Sequence, residues 1–226
     1  MELSLVASDT TAARMLVLNH ITAPNCPVKW GTRMSMSIPL LWQEVIWQES
    51  WGQYLGQDMT GHSIVDGGLL SNFPIELFLS NLDDVTSVMG KKISKEVLGF
   101  LIDEEQAVPN APERTLAAKP GINIAELQTV QRLSKLVDTT LSARDKMVID
   151  SYSQLVARMP AKGYGTTEFD MTGERRQKLL DAGRSAMQSY FKALERPKSA
   201  ESVSFGIGEE EPGPDPVDRI ALKILK

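Results

Sequence analysis

Val65-Asp66-Gly67-Gly68-Leu69-Leu70-Ser71-Asn72-Phe73-Pro74 is the stretch on which the reading of this 226-residue chain turns. Ser63, Ile64 and Val65 have the composition of a short buried strand, and Asp66 closes it. Gly67 and Gly68 carry no Cβ, so the turn is free to take positive φ and other backbone can come close to the aspartate. Asn72 and Pro74 mark a turn into a helix, with proline near a first-turn position where a missing N–H costs nothing. The pattern predicts an α/β fold with a carboxylate delivered to the mouth of a sheet, placed to act as a base. Taken alone, Asp66 also reads as a turn residue capping a neighbouring helix.

Upstream, residues 2–8 and 14–19 are apolar runs separated by Asp9-Thr10-Thr11-Ala12-Ala13, which predicts a strand pair. Pro24, Asn25 and Pro27 form a loop, and Gly31 to Ser37 a short helix ended by Pro39. Trp30, Trp42, Trp47 and Trp51, with Tyr54 behind, suit packing of a loop against the core and equally a lipid-facing rim. Gln43 to Gly61 reads as a hairpin or irregular loop. Downstream, Ile75 to Asn81 is a short helix. The compact run Val97 to Ile102 has the profile of a strand buried on both faces, as parallel sheets require. Val108 to Pro120 is a proline-rich connection. From Ile122, apolar residues recur at three- and four-residue intervals to Tyr152, predicting a long amphipathic helix. Ser153 to Met159 reads as a strand. A last helix runs from Thr172 to about Leu194, lined inside by Leu179, Leu180, Ala186, Met187 and Phe191.

Asp-Gly-Gly followed by Leu-Leu-Ser-Asn-Phe-Pro resembles the segment around the catalytic aspartate of patatin-like phospholipases, lipid acyl hydrolases with a Ser-Asp dyad. Ser35-Met36-Ser37-Ile38-Pro39-Leu40 is similar to that family's Ala-Ser-x-x-Ile-Pro segment. Leu5-Val6-Ala7-Ser8-Asp9-Thr10-Thr11 resembles its Ala-Thr-Asp strand and turn. Gly163-Tyr164-Gly165-Thr166-Thr167-Glu168-Phe169-Asp170 resembles the loop before the closing helix of bacterial members. The four matches fall in order between Leu3 and Phe191. Two family motifs have no counterpart: the Gly-rich oxyanion loop and the Gly-x-Ser-x-Gly nucleophile elbow. The nearest candidate, Gly61-His62-Ser63-Ile64-Val65, has valine where an elbow needs a small residue, and its serine lies in the strand that leads to Asp66.

The resemblance implies a partial three-layer α/β/α fold with a mostly parallel sheet and its N-terminal βα units missing. Residues 1–194 would be the C-terminal part of such a domain, and 195–226, acidic and rich in Pro, Gly and Ser, a largely disordered tail with one short helical turn or two at Val217 to Lys226. It implies a lipid acyl hydrolase acting on glycerolipid esters. Asp66 would be the base, with Gly67 and Gly68 shaping its loop, Asn72 fastening it, and no nucleophile in the chain. Such a chain is expected to be inactive alone. The alternative from a different class is a non-catalytic lipid-binding or regulatory protein derived from the same fold. The implied partners are a lipid or membrane-surface substrate, and either further copies of the chain or a chain bearing the serine segment. No cofactor is implied, and the expected location is cytoplasmic, peripheral at membranes.

Composition sets outer bounds. The apolar fraction of 42% and charged fraction of 23% are ordinary for a globular chain. A net charge of −5 without a basic run argues against a nucleic-acid partner. No apolar run approaches the ~20 residues that span a bilayer, and Met1-Glu2 opens without a signal-peptide pattern. Cys26, the single cysteine, excludes an internal disulfide and a thiolate metal site and reads as an inert thiol. His20 and His62 are not spaced as metal ligands; His62, close to Asp66 in sequence, reads as a polar loop residue before a strand. Asp9 should bond its own turn, and Asp170 should cap the last helix.

Overall fold

The computed structural model describes residues 2–39, 41–92, 96–112, 148–165, 168, 170–195 and 216–225. They divide into two units. The first holds the described residues up to Val97 together with 148–151 and 216–225; the second holds the rest. Both contain helices and strands, so the fold class is α/β.

The first unit begins with the expected strand pair, β1 (Leu5–Asp9) and β2 (Arg14–Leu18), in register from Leu5 opposite Leu18 to Asp9 opposite Arg14. Helix α1 (Val28–Ser35) follows, then β3 (Val45–Ile46), a 3-10 turn at Glu49–Trp51, and the small hairpin β4 (Gln53–Tyr54) and β5 (Gln57–Asp58). Strand β6 (Ser63–Asp66) leads through a 3-10 turn at Gly67–Leu69 to α2 (Glu76–Leu79) and α3 (Asp83–Met89). The main sheet has the order β2-β1-β6-β3. All three of its pairings are antiparallel, which departs from the mostly parallel sheet expected above. Four turn residues between β1 and β2 permit no other direction, because parallel neighbours need a crossover of a dozen residues or more.

Alternation along these strands fills two cores. Ala7, Leu16, Leu18 and Ile64 pack with Met34 of α1 and with Trp47, Trp51, Tyr54 and Met59. Met15 and Val17 pack on the other side with Leu77, Val85, Val88 and Ala221. Ala221 belongs to α5 (Pro216–Leu225), a segment that composition assigned to the tail. Its stripe of Val217, Ile220, Ala221 and Leu225 has helical spacing, and Val217 and Ala221 are buried. These residues are therefore part of the first unit's core. Residues 196–215 and the expected helix from Ile122 to residue 147 lie outside the described residues.

The second unit pairs β7 (Gly99–Ala107) with β8 (Val156–Lys162) in parallel, Gly99 opposite Val156 and Asp103 opposite Pro160, with a register shift before Ala107. Strand β7 is not buried on both faces as expected. Phe100 and Ile102 are 54% and 67% exposed while the intervening Leu101 is partly covered, so one face is open. Helix α4 (Gly173–Glu195) presents Arg175, Leu179 and Ala182 inward at i, i+4 and i+7. Leu180 and Phe191, assigned to the inner face above, fall off this stripe and are exposed. Arg175 is buried. Its guanidinium donates to Glu168 Oε1 at 2.9 Å and Oε2 at 3.2 Å, to Gly163 O at 2.8 Å and to Pro112 O, and stacks on Tyr164. Among the described residues, no helix is long and apolar enough to cross a membrane.

Candidate functional site

Strand β6 is interior to the main sheet, and Ile64 and Val65 are buried as a strand there requires. Asp66 stands at its end, opposite Ala7 of β1. Its backbone N–H donates to Ser37 O at 3.0 Å. Two stretches singled out from the sequence, Ser35–Pro39 and the Asp-Gly-Gly turn, are thus joined by a direct hydrogen bond.

At φ −52° and ψ 136°, Asp66 leaves the strand and starts the 3-10 turn, and its Oδ1 accepts the Gly68 N–H at 2.7 Å. The capping geometry considered above is therefore present. The second oxygen, Oδ2, accepts no hydrogen bond among the described residues. The carboxyl is half-buried, and burial pushes its pKa above the ordinary aspartate range, opposed by the Gly68 N–H, which favours the charged form. One oxygen is fixed, the other is available, and proton affinity is raised: these are properties of a positioned base.

The glycines serve close approach and not positive φ, which occurs at Gly52, Gly56, Gly61, Gly90 and Gly163 but not at Gly67 or Gly68. A Cβ on Gly67 would lie 2.6 Å from Val6 O and 2.8 Å from Val6 C, inside the backbone of β1. A Cβ on Gly68 would run into Oδ1 of Asn72 and come within 3.1 Å of Asp66 Oδ1. Asn72 is exposed, and its carboxamide folds back over Gly68.

Ser63 is at the other end of β6, paired with Ile46, its N–H held by Thr11 Oγ1 and its carbonyl by Thr10. Three strand residues, about 10 Å, separate it from Asp66. His62 does not meet Asp66 either. Its Nδ1 lies 2.8 Å from Asp9 Oδ2, a contact across 53 residues that nothing local in the sequence reveals. Asp9 is buried; its Oδ1 accepts the N–H groups of Thr11 and Ala12, the self-bonded turn expected of it, and its Oδ2 is also 3.6 Å from Arg14 Nε. Asp170 does not cap the last helix. Thr172 does, its Oγ1 accepting the Arg175 N–H at 3.3 Å. Cys26 is half-buried, and desolvation raises its thiol pKa, as suits an inert cysteine.

An open groove of about 490 Å³ runs along α1 and β3, walled by Trp30, Arg33, Gln43, Glu44, Gln48 and Trp51. Asp66 does not line it. The two are connected through Ser37, whose carbonyl accepts from Asp66 and whose Oγ accepts from Arg33. The tryptophans differ in burial. Trp47 and Trp51 are core residues, Trp47 donating to Gly52 O, whereas Trp30 and Trp42 remain 38% and 41% exposed.

No family model matches the chain. It is 28% identical over 197 residues to a Bacillus subtilis (strain 168) protein described as uncharacterized protein YqhO, in a match that covers 84% of this chain. The chain spans 57% of that relative's length.

Proposed function

We propose that this chain contributes the aspartate base of a patatin-like lipid acyl hydrolase acting on glycerolipid esters at membrane surfaces. The partial three-layer arrangement belongs to the same proposal. The observation that carries it is the half-buried Asp66 carboxyl at a strand end, with one oxygen fixed by Gly68, the other unbonded among the described residues, and the pKa raised. The hydrogen bond from Asp66 to Ser37 adds support, because it brings together two of the segments on which the resemblance rests.

In such a dyad the carboxylate removes the serine proton as the hydroxyl attacks the ester carbonyl, then activates the water that hydrolyses the acyl-enzyme. The serine and the oxyanion donors would come from sequence other than that described here, on the same or a separate polypeptide. The test compares hydrolysis of a short-chain p-nitrophenyl ester by this chain, by the chain joined to the reading frame preceding Met1, and by the joined form with Asp66→Asn. Turnover by the joined form, falling roughly 10²-fold or more on substitution as a lost general base requires, is the expected result. Turnover that survives the loss of this carboxylate refutes the assignment.

A further inference from the structure

Strand β3 ends the main sheet on one side, because the order β2-β1-β6-β3 gives it one neighbour among the described residues. Its extended backbone continues past Ile46. The Trp47 N–H donates to His62 O at 2.9 Å, its carbonyl accepts the Gly61 N–H at 3.0 Å, and Gln48 has φ −95° and ψ 142°. Backbone groups alternate in direction along a strand. Val45 and Trp47 therefore turn theirs toward β6, and Glu44, Ile46 and Gln48 turn theirs to the free edge. The side chains alternate likewise: Val45 and Trp47 are buried, whereas Glu44, Ile46 and Gln48 share an exposed face.

An open edge is a template for another strand. The Gln48 carboxamide donates to Ile46 O at 2.8 Å, standing where an incoming backbone N–H would stand. The groove along α1 opens beside this edge, and Arg33 brings a cation to it. Its guanidinium donates to Ser37 Oγ and, at 3.1 Å, to Gln43 O, and lies 5.6 Å over the Trp42 ring. Among the described residues no carboxylate comes within 4 Å of it.

A second copy of the chain meets each of these demands. With a two-fold axis at Ile46, antiparallel pairing sets Ile46 opposite itself and Glu44 opposite Gln48 of the other copy. Each Ile46 N–H takes the other's carbonyl, and the displaced Gln48 carboxamide faces a Glu44 carboxylate. One residue further out, the same register sets the exposed Glu49 opposite Gln43, the residue whose carbonyl Arg33 holds. From this self-complementarity we infer that the chain forms a symmetric dimer by pairing β3 with β3. The pairing joins two four-stranded sheets into one, with an Arg33–Glu49 ion pair at each end. It is independent of the hydrolase reading.

Sedimentation velocity of the full chain over a wide range of concentration should show a reversible monomer–dimer equilibrium. Ile46→Pro removes the outward N–H and leaves the bonds of Val45 and Trp47 to β6 in place, so it should weaken the dimer at least tenfold. Urea unfolding of the dilute variant, followed by tryptophan fluorescence, checks that the fold survives. Glu49→Lys, which sets a cation against Arg33, should also weaken association at least tenfold, and adding Arg33→Glu should restore most of it. Register is read by cross-linking in a Cys26→Ser background. Ile46→Cys should form an intermolecular disulfide on mild oxidation, because directly opposed residues have Cα atoms about 5.5 Å apart. Gln48→Cys, roughly 14 Å from its counterpart, should not. A chain that stays monomeric overturns the inference, including one whose edge instead takes a strand from a different protein. So does a dimer indifferent to both Ile46→Pro and Glu49→Lys, or one that cross-links as readily through Gln48→Cys as through Ile46→Cys. Asp66→Asn should associate normally, so a failed dimer and a failed catalytic assignment give different results.

Discussion

Replacing Gly67 by alanine tests the geometry that holds the Asp66 turn against β1. The added methyl carbon would sit 2.6 Å from Val6 O and 2.8 Å from Val6 C, so it meets backbone and not a side chain that can swing away. Ordinary contact distances begin above about 3.4 Å, so β1 or the turn must yield by more than roughly half an ångström. Strand β1 is paired on both sides, with β2 and with β6, and has little room to do so. Overpacking of this kind costs about 1–3 kcal/mol. Stiffening of the unfolded chain by alanine returns about 0.4–1 kcal/mol. The net expectation is a loss of about 1.3 kcal/mol, close to a tenfold change in the folded-to-unfolded ratio. All four tryptophans belong to the first unit, so intrinsic fluorescence during urea unfolding reports on that unit. The midpoint should fall by about 0.6 M. Gly68→Ala is the control, because its main obstacle is the Asn72 side chain, and its midpoint should move by less than half as much. A Gly67→Ala midpoint indistinguishable from that of the parent, or a reversed order of the two variants, would refute the close-approach argument.

Asp66 makes a pH prediction. With its pKa raised, the folded chain holds this proton to higher pH than the unfolded chain does. Stability therefore falls as pH rises from the ordinary aspartate range through the folded value. Asp66→Asn keeps an oxygen for Gly68 N–H and should remove that fall. Urea midpoints of parent and variant should converge below the window and separate above it in the variant's favour; separation in the parent's favour would contradict burial as the cause. Tyr54→Phe leaves the buried Val17 N–H without the phenolic oxygen that it reaches at 3.1 Å. It should cost about 1–3 kcal/mol, read by the same fluorescence titration. In the second unit, Arg175→Met removes the guanidinium that neutralises the buried Glu168 carboxylate and should cost about 3–5 kcal/mol. Amide hydrogen exchange in β8 and α4 is the measure, and unchanged protection would show that the pair is dispensable.

What the sequence revealed was local. The hairpin of β1 and β2 could be read because its apolar runs flank a self-bonding Asp9 turn. The Asp66 turn and the helix before Pro39 were legible for the same reason, since glycine and proline act on their own neighbours. The sheet's direction was not, because the parallel expectation came with the resemblance, and pairing is settled by residues far apart in the chain. The contact of His62 with Asp9 spans 53 residues, and Arg33 meets Ser37 and Gln43 only once those residues fold back to it. The strand around Phe100 and Ile102 looked doubly buried because a short apolar run does not disclose which side lacks a cover. Helix α5 was read as no more than a turn or two of helix in a tail because an acidic, proline-rich stretch precedes it, although its own stripe is regular.

The place of α5 in the first unit has a consequence for biosynthesis. Met15, Val17, Val85 and Val88 are translated well before Ala221, which packs with them. At about 5–20 residues per second, the ribosome keeps that seat vacant for something on the order of ten seconds while the whole of the second unit is made. During this interval the nascent chain exposes the sticky surface that chaperones recognise, and a stop codon just ahead of Pro216 would leave it exposed permanently.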